Sequence, residues 1–199
     1  MGIAFAQSQT RENLMRAFAG ESQARNRYEF AAAQAKKQKL HVIEAVFRFT
    51  ADQEKSHAKV YYNHLKELCG ENILVDGRYP IDLYDDMLSH LKAAQHNEYQ
   101  EWEHEYARFG DIAAEEGFNR IAASFRMIAE VEKTHGDRFG HFARLLEREE
   151  LFRAKVPLKW MCLKCGRIHE GTDAPEICPI CGHNQGYFIR LDMAPFVMG

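Results

Sequence analysis

No stretch of this 199-residue chain approaches the roughly 18 consecutive apolar residues that a membrane-spanning helix needs, so no segment reads as a bilayer anchor. Basic residues form no stripe. The formal charge of -3 is spread along the chain, which argues against a nucleic-acid or anionic-membrane surface and for small-molecule or protein partners. The opening Met1-Gly2-Ile3-Ala4-Phe5-Ala6 lacks the apolar core of a secretory signal, and Ala6 stands where a myristoylation motif requires Ser or Thr; a cytoplasmic location is expected. Cysteine is almost unused outside one arrangement: of five, four form two Cys-x-x-Cys pairs and Cys69 stands alone. That usage reads as metal binding in a reducing compartment rather than as disulfides, with Cys69 a buried small hydrophobe. What remains is ordinary globular composition, long enough for one substantial core and a small second module.

Four segments carry helical periodicity. In residues 10–37 the stripe is Leu14, Phe18, Glu21, Arg25, Tyr28, Ala32 and Ala35; in 41–68 it is Ile43, Phe47, Thr50, Glu54, His57, Tyr61 and Leu68. Residues 69–80, with Gly70, Gly77 and Pro80, break helix. About 12 extended residues span about 40 Å, the length of a helix of about 27 residues, so this segment can cross a bundle from end to end. Asp82 is expected to cap a third helix running to about Arg108, with Leu88, Leu91, Ala94, Glu98, Glu101, Trp102 and Tyr106 on or beside its inner face. Gly110-Asp111 is expected to end it. A fourth stripe follows through Phe118, Ile121, Phe125, Ile128, Glu132, His135, Phe139, Phe142 and Leu146, leaving Glu130 off the face. Glu147 to Glu150 reads as a solvated helix end, and residues 153–159, containing Pro157, as a linker to a tail rich in Gly and Cys. The expected division is therefore a bundle of residues 1–152 and a module of residues 153–199.

Ionisable residues interrupt each apolar stripe near its middle: Glu21, then Glu54-x-x-His57, Glu98-x-x-Glu101 and Glu132-x-x-His135. Buried carboxylates without partners cost several kcal/mol each, so matched Glu and His at i, i+3 spacing imply a compensating cation. One Glu-x-x-His on a helix is usually a surface pair. Four coordinated instances match the ligand set of a ferritin-like dinuclear bundle, a Glu from each of two helices and Glu-x-x-His from the other two, with Glu101 in addition. Hard carboxylates with imidazole suit iron or manganese. Tyr28 and Tyr106 lie within two helical turns of these acids, where they serve either to orient ligand carboxylates or simply as core aromatics.

In the tail, Cys162-Leu-Lys-Cys165-Gly and Cys178-Pro-Ile-Cys181-Gly form two similar turns and a four-thiolate site, with Gly166 and Gly182 permitting the tight backbone. Tetrahedral zinc and tetrahedral iron are both satisfied by four thiolates. Attachment to a redox-capable bundle favours iron, which relays electrons singly.

Taken together, the bundle acids, Trp160-Met-Cys-Leu-Lys-Cys-Gly-Arg-Ile-His-Glu-Gly and Ala174-Pro-Glu-Ile-Cys-Pro-Ile-Cys-Gly-His183 resemble the rubrerythrin family over nearly the whole chain. The resemblance implies an all-α ferritin-like four-helix bundle with a long crossover, followed by a small β-rich rubredoxin-like domain. It implies a non-haem di-iron peroxidase of oxidative-stress protection. Such an enzyme reduces hydrogen peroxide to water with electrons from rubredoxin or an NAD(P)H-dependent reductase, relayed through an Fe(Cys)4 centre, zinc being the alternative there. One iron of such a protein exchanges a Glu for a His with oxidation state, and Glu101 and His57 match those positions; with Tyr28 and Tyr106 they are the expected catalytic set. The metal set is Glu21, Glu54, His57, Glu98, Glu101, Glu132 and His135, with Cys162, Cys165, Cys178 and Cys181 in the tail. A head-to-tail homodimer is also implied. The short gap between Cys165 and Cys178 departs from free-standing rubredoxins toward zinc-ribbon proportions. A ferritin-like ferroxidase, or a dioxygen-activating oxidase on the same cage, is the competing reading, and the cysteine module speaks against iron storage.

Overall fold

Ser8 opens the first helix by accepting the Arg11 N–H at 3.0 Å, and the computed structural model, which describes residues 3–196, continues it as α1 (Gln9–Lys37). Met1 and Gly2, on which the acylation reading rests, lie outside the described residues. Helix α2 (His41–His64) returns antiparallel after a three-residue turn in which Lys39 adopts φ 59° and Leu40 N–H reaches back to Ala35 O at 2.9 Å. Two other helix ends close the same way, at Gly117 (φ 90°) and Glu149 (φ 57°).

The third and fourth segments depart from the sequence expectation in instructive ways. Helix α3 (Met87–Gln100) is capped by Asp86, which accepts from Ser89 N–H at 2.8 Å, rather than by Asp82. Asp82 is drawn away because it pairs with Arg27 of α1 and accepts from Asn97 Nδ2 at 3.0 Å, pinning the crossover to the bundle. A single π-helical turn, Glu101–Glu105, joins α3 to α4 (Tyr106–Glu115), so Gly110 does not end a helix. A Cβ at Gly110 would lie 3.3 Å from Arg126 Cγ and 3.5 Å from Ala122 O, so this glycine serves close packing on α5. The true break comes at Gly117, before α5 (Asn119–Glu147). Among the described residues no helix is long and apolar enough to cross a membrane.

Residues 153–159 are strand rather than linker: β1 (Arg153–Cys162) pairs antiparallel with β2 (Ile168–Asp173) and with β3 (Phe188–Arg190), in the order β2-β1-β3. The ladder is irregular between Arg153 and Leu158, where Pro157 offers no N–H to pair. Trp160, Cys162, Cys178 and Phe188 form the module's own core. It rests on the α1–α2 turn, where His41 and Tyr187 rings stack at 3.9 Å and a Cβ on Gly186 would strike Lys39 O at 1.8 Å. Cys69, expected to be buried, is exposed on the crossover.

Two apolar clusters fill the bundle, one around Tyr28, Phe47, Leu91 and Phe139, the other around Leu14, Tyr61, Tyr106 and Phe125. The ionisable residues lie between them.

Candidate metal centres

Helical phase carries Glu21, Glu54, Glu98, Glu132 and His135 to the bundle axis, each at most 2% exposed, and His57 to 9%. Their donor atoms fall into two groups, Glu21, Glu54, His57 and Glu132, and Glu54, Glu98, Glu132 and His135, with the atoms of each group within 4.8 Å of one another. Glu54 and Glu132 belong to both. Each gives one oxygen to each half: Glu132 Oε1 is 2.8 Å from His57 Nδ1 and its Oε2 is 2.8 Å from His135 Nδ1, while Glu54 Oε2 and Oε1 lie 3.2 and 2.9 Å from the same two nitrogens. Glu21 completes the first half at 3.8 Å from His57, and Glu98 the second at 3.6 Å from His135.

None of these contacts has hydrogen-bond geometry. Both oxygens of Glu54 and of Glu132, Oε2 of Glu21 and of Glu98, and the Nδ1 atoms of His57 and His135 are buried without a hydrogen-bond partner. Such a concentration of unsatisfied acceptors is costly in an apolar core and is what bound cations would satisfy, and the donor set fits a pair of iron ions. The outer oxygens are satisfied. Tyr106 donates to Glu21 Oε1 at 2.5 Å, and Tyr28 donates to Glu98 Oε1, so each terminal carboxylate is held on one side by a tyrosine.

Without a cation the acids and imidazoles neutralise one another through protons. Burial, then the charges of Glu132, Glu54 and Glu101, push Glu21 well above the usual carboxylate range. Burial and Glu54 raise Glu98 to about 8. Burial would depress both histidines, yet the carboxylates of Glu132 and Glu54 hold His57 at about 9 and His135 at about 12. Burial would likewise raise Glu54, but His135 and His57 bring it to about 2.

Glu101, expected among the ligands, belongs to neither group. It sits half-buried at the start of the π turn, its carboxyl pushed up by burial and by Glu98, Glu132, Glu54 and Glu105. Two further residues were not singled out as functional in the sequence, although Tyr61 lies on the inward stripe of residues 41–68. The Tyr61 hydroxyl is buried without a partner beside Tyr106, the ring centroids 5.4 Å apart. Arg138 of α5 donates to Thr50 Oγ1 at 2.9 Å and Gln53 Oε1 at 3.1 Å of α2, and its charge faces Glu54, Glu98 and Glu132. Only the pairing of α2 with α5 brings that cation near the acids.

In the module, Cys162, Cys165, Cys178 and Cys181 converge, with Sγ–Sγ separations of 3.8 Å (Cys162–Cys181) and 3.6 Å (Cys165–Cys178). Two equivalent knuckles build the site: Gly166 N–H bonds Cys162 O at 2.8 Å and Gly182 N–H bonds Cys178 O at 2.9 Å, both glycines at positive φ. The backbone N–H of Cys181 holds the Cys178 thiol at about 6, so the fold favours thiolate there.

Residues 12–143 match the rubrerythrin family, and residues 160–189 match the rubredoxin-like domain of rubrerythrin. The chain belongs to the rubrerythrin family. It is 43% identical to the rubrerythrin of Clostridium perfringens over 182 residues, covering 91% of this chain and 93% of that one. To the rubrerythrin of Nitratidesulfovibrio vulgaris it is 41% identical over 184 residues, 92% of this chain and 95% of the other. Among solved structures, nigerythrin in its mixed-valence state superposes with a TM-score of 0.61 at 26% identity, covering 93% of this chain and 90% of that one. A bacterioferritin from Desulfovibrio desulfuricans shares the bundle fold alone, with a TM-score of 0.63 at 21% identity over 71% of this chain and 82% of its own. The rubrerythrin bundle is thus a ferritin-like fold with a carboxylate–histidine di-iron site, and the sheet module carries four cysteines that could bind a metal. Membership places the chain among di-iron oxidoreductases of oxidative-stress defence.

Proposed function

We propose that the chain is a peroxidase that reduces hydrogen peroxide to water, consuming two electrons and two protons per peroxide. The observation that carries this reading is the coexistence, in one chain, of a two-half carboxylate–histidine centre and a four-cysteine module. Glu21 and His57 would hold one iron, Glu98 and His135 the other, and Glu54 and Glu132 both. When bound, the iron pair supplies the two electrons and the open coordination positions that peroxide needs.

The surrounding residues do the rest. Tyr28 and Tyr106 fix the terminal carboxylates Glu98 and Glu21 so that one oxygen of each faces inward. Glu101, whose carboxyl is pushed well above the usual carboxylate range by burial and by Glu98, can deliver a proton to a departing oxygen and, once ionised, would ligate the more highly charged oxidised centre in place of neutral His57. The apolar clusters on either side exclude bulk water. The four thiolates of the module would hold iron, with zinc the alternative, and pass single electrons from rubredoxin or an NAD(P)H-dependent reductase. A head-to-tail homodimer in the cytoplasm, each module serving its partner's bundle, completes the reading, with the domain boundary between residues 152 and 153.

A ferroxidase or iron-binding protein would need the bundle alone, with no attached donor. Anaerobic single turnover separates the two: reduced protein mixed with hydrogen peroxide should oxidise much faster than with dioxygen, and a preference for dioxygen would overturn the peroxidase. Glu101→Ala should raise the reduction potential of the centre while leaving iron bound; an unchanged potential in spectroelectrochemical titration would make Glu101 a bystander.

A further inference from the structure

Of the acids around the centre, Glu101 opens onto a surface cleft of about 620 Å³, walled by Ala17 and Gly20 of α1 and by Tyr106 and Phe109 of α4. A larger depression near His64 and Arg120 contains none of the cluster residues. The crossover roofs the first cleft. It is clamped on one side by Asp76, which meets Arg16 Nη2 at 2.9 Å, and on the other by Asp82, held by Arg27 and Asn97. Between these clamps the Tyr79 ring lies over Gly20, where a Cβ would come within 3.7 Å of Cε1. It folds so closely on Gly77 that a Cβ there would sit 2.8 Å from the ring. Its hydroxyl makes one neutral hydrogen bond, to Arg16 O at 3.1 Å, and the residue is 43% exposed. A side chain so placed is held at the cleft mouth by packing over two glycines and a single bond.

We propose that this cleft is a substrate site for organic hydroperoxides and that Tyr79 gates it, a proposal that rests on the peroxidase reading above. Hydrogen peroxide, two oxygen atoms, needs no such volume, whereas sites for small organic ligands run to roughly 300–1,000 Å³. Ala17, Pro80, Phe109 and the Tyr79 ring offer apolar surface for a compact organic group beside a charged wall of Arg16, Arg78, Arg108 and Glu105, and Glu101, the lining acid whose charge couples to Glu98, Glu132 and Glu54, marks the side on which the peroxy group would lie. The reaction balances as for peroxide: the O–O bond breaks, the bundle supplies two electrons, and two protons convert the fragments to an alcohol and water.

Two opposed variants test the gate. The rate of oxidation of the anaerobically reduced, iron-loaded protein is measured by stopped flow with cumene hydroperoxide and with hydrogen peroxide. The ratio of the two rates should rise at least about threefold in Tyr79→Ala and fall by a similar factor in Tyr79→Trp, the change in pocket occupancy that one side chain can impose. A second readout uses redox-silent, zinc-loaded protein: saturation-transfer NMR should detect 2-phenyl-2-propanol bound to the wild type and more weakly bound to Tyr79→Trp. Failure of hydrogen peroxide to oxidise even the wild type would overturn the peroxidase reading itself. Normal oxidation by hydrogen peroxide with rate ratios equal in all three proteins, or alcohol binding that is absent or insensitive to Tyr79→Trp, would overturn the gated site alone.

Discussion

Filling the bundle with two divalent cations should release about three protons per chain at pH 7. The count comes from the ligands themselves. In the metal-free protein His57, held at about 9, and His135, at about 12, are imidazolium, and Glu98, at about 8, is protonated; burial and the neighbouring carboxylates push Glu21 in the same direction. All three must lose a proton to bind a cation; Glu54, at about 2, has none to lose. Isothermal titration with ferrous ion under argon, in buffers of different ionisation enthalpy and with the cysteine site already filled, reads the number directly. Release of fewer than about two protons would refute the assignment of these residues as the ligand set. The same shifts fix a stability trend. The folded values lie above the reference 6.5 for the histidines and 4.5 for the acids, so the folded metal-free chain holds more protons than the unfolded one. Stability present at low pH is therefore lost as pH rises, by about 1.4 kcal/mol per unit for each group inside its own window. The Tm of metal-free protein should fall from about pH 5 to about pH 9, while metal-loaded protein, whose ligands carry no protons there, should show no such decline.

Tyr28→Phe removes the donor to Glu98 and should weaken iron retention about tenfold in competition with a chelator, without unfolding the bundle; unchanged retention would make the tyrosine ordinary core. Gly136→Ala gains about 1 kcal/mol of helix propensity, yet its Cβ would lie 2.5 Å from the Tyr99 ring, which Asp137 and Trp102 hold in place, so overpacking of about 1–3 kcal/mol should prevail and lower Tm. The reverse sign would show that Tyr99 swings aside freely. Replacing Cys162 and Cys165 together by Ser should abolish turnover with a protein electron donor while chemically reduced bundle still reacts with peroxide; undiminished turnover would assign the module a purely structural part.

Periodicity within single helices was enough to set Glu21, Glu54, His57, Glu98, Glu132 and His135 on inward faces, because helical phase is a local property that runs along one chain. The cysteine knuckles were equally legible, since each is built from five consecutive residues. Boundaries were less so: the Asp82 cap and the Gly110 break failed because both residues are claimed by tertiary partners, Arg27 of α1 and Asn97 in the third turn of α3 in one case, α5 in the other. The π turn at Glu101–Glu105 has no periodic signature at all, and Pro157 disguised a strand. What only the tertiary structure decided is which stripe faces which: that Glu54 and Glu132 divide their oxygens between the two halves, that Tyr28 serves Glu98 and Tyr106 serves Glu21, that Arg138 stands behind the acids, and that the crossover lays Tyr79 across a cleft lined by Glu101. Those relations join residues tens of positions apart, where spacing along the chain carries no information and packing alone chooses the neighbour.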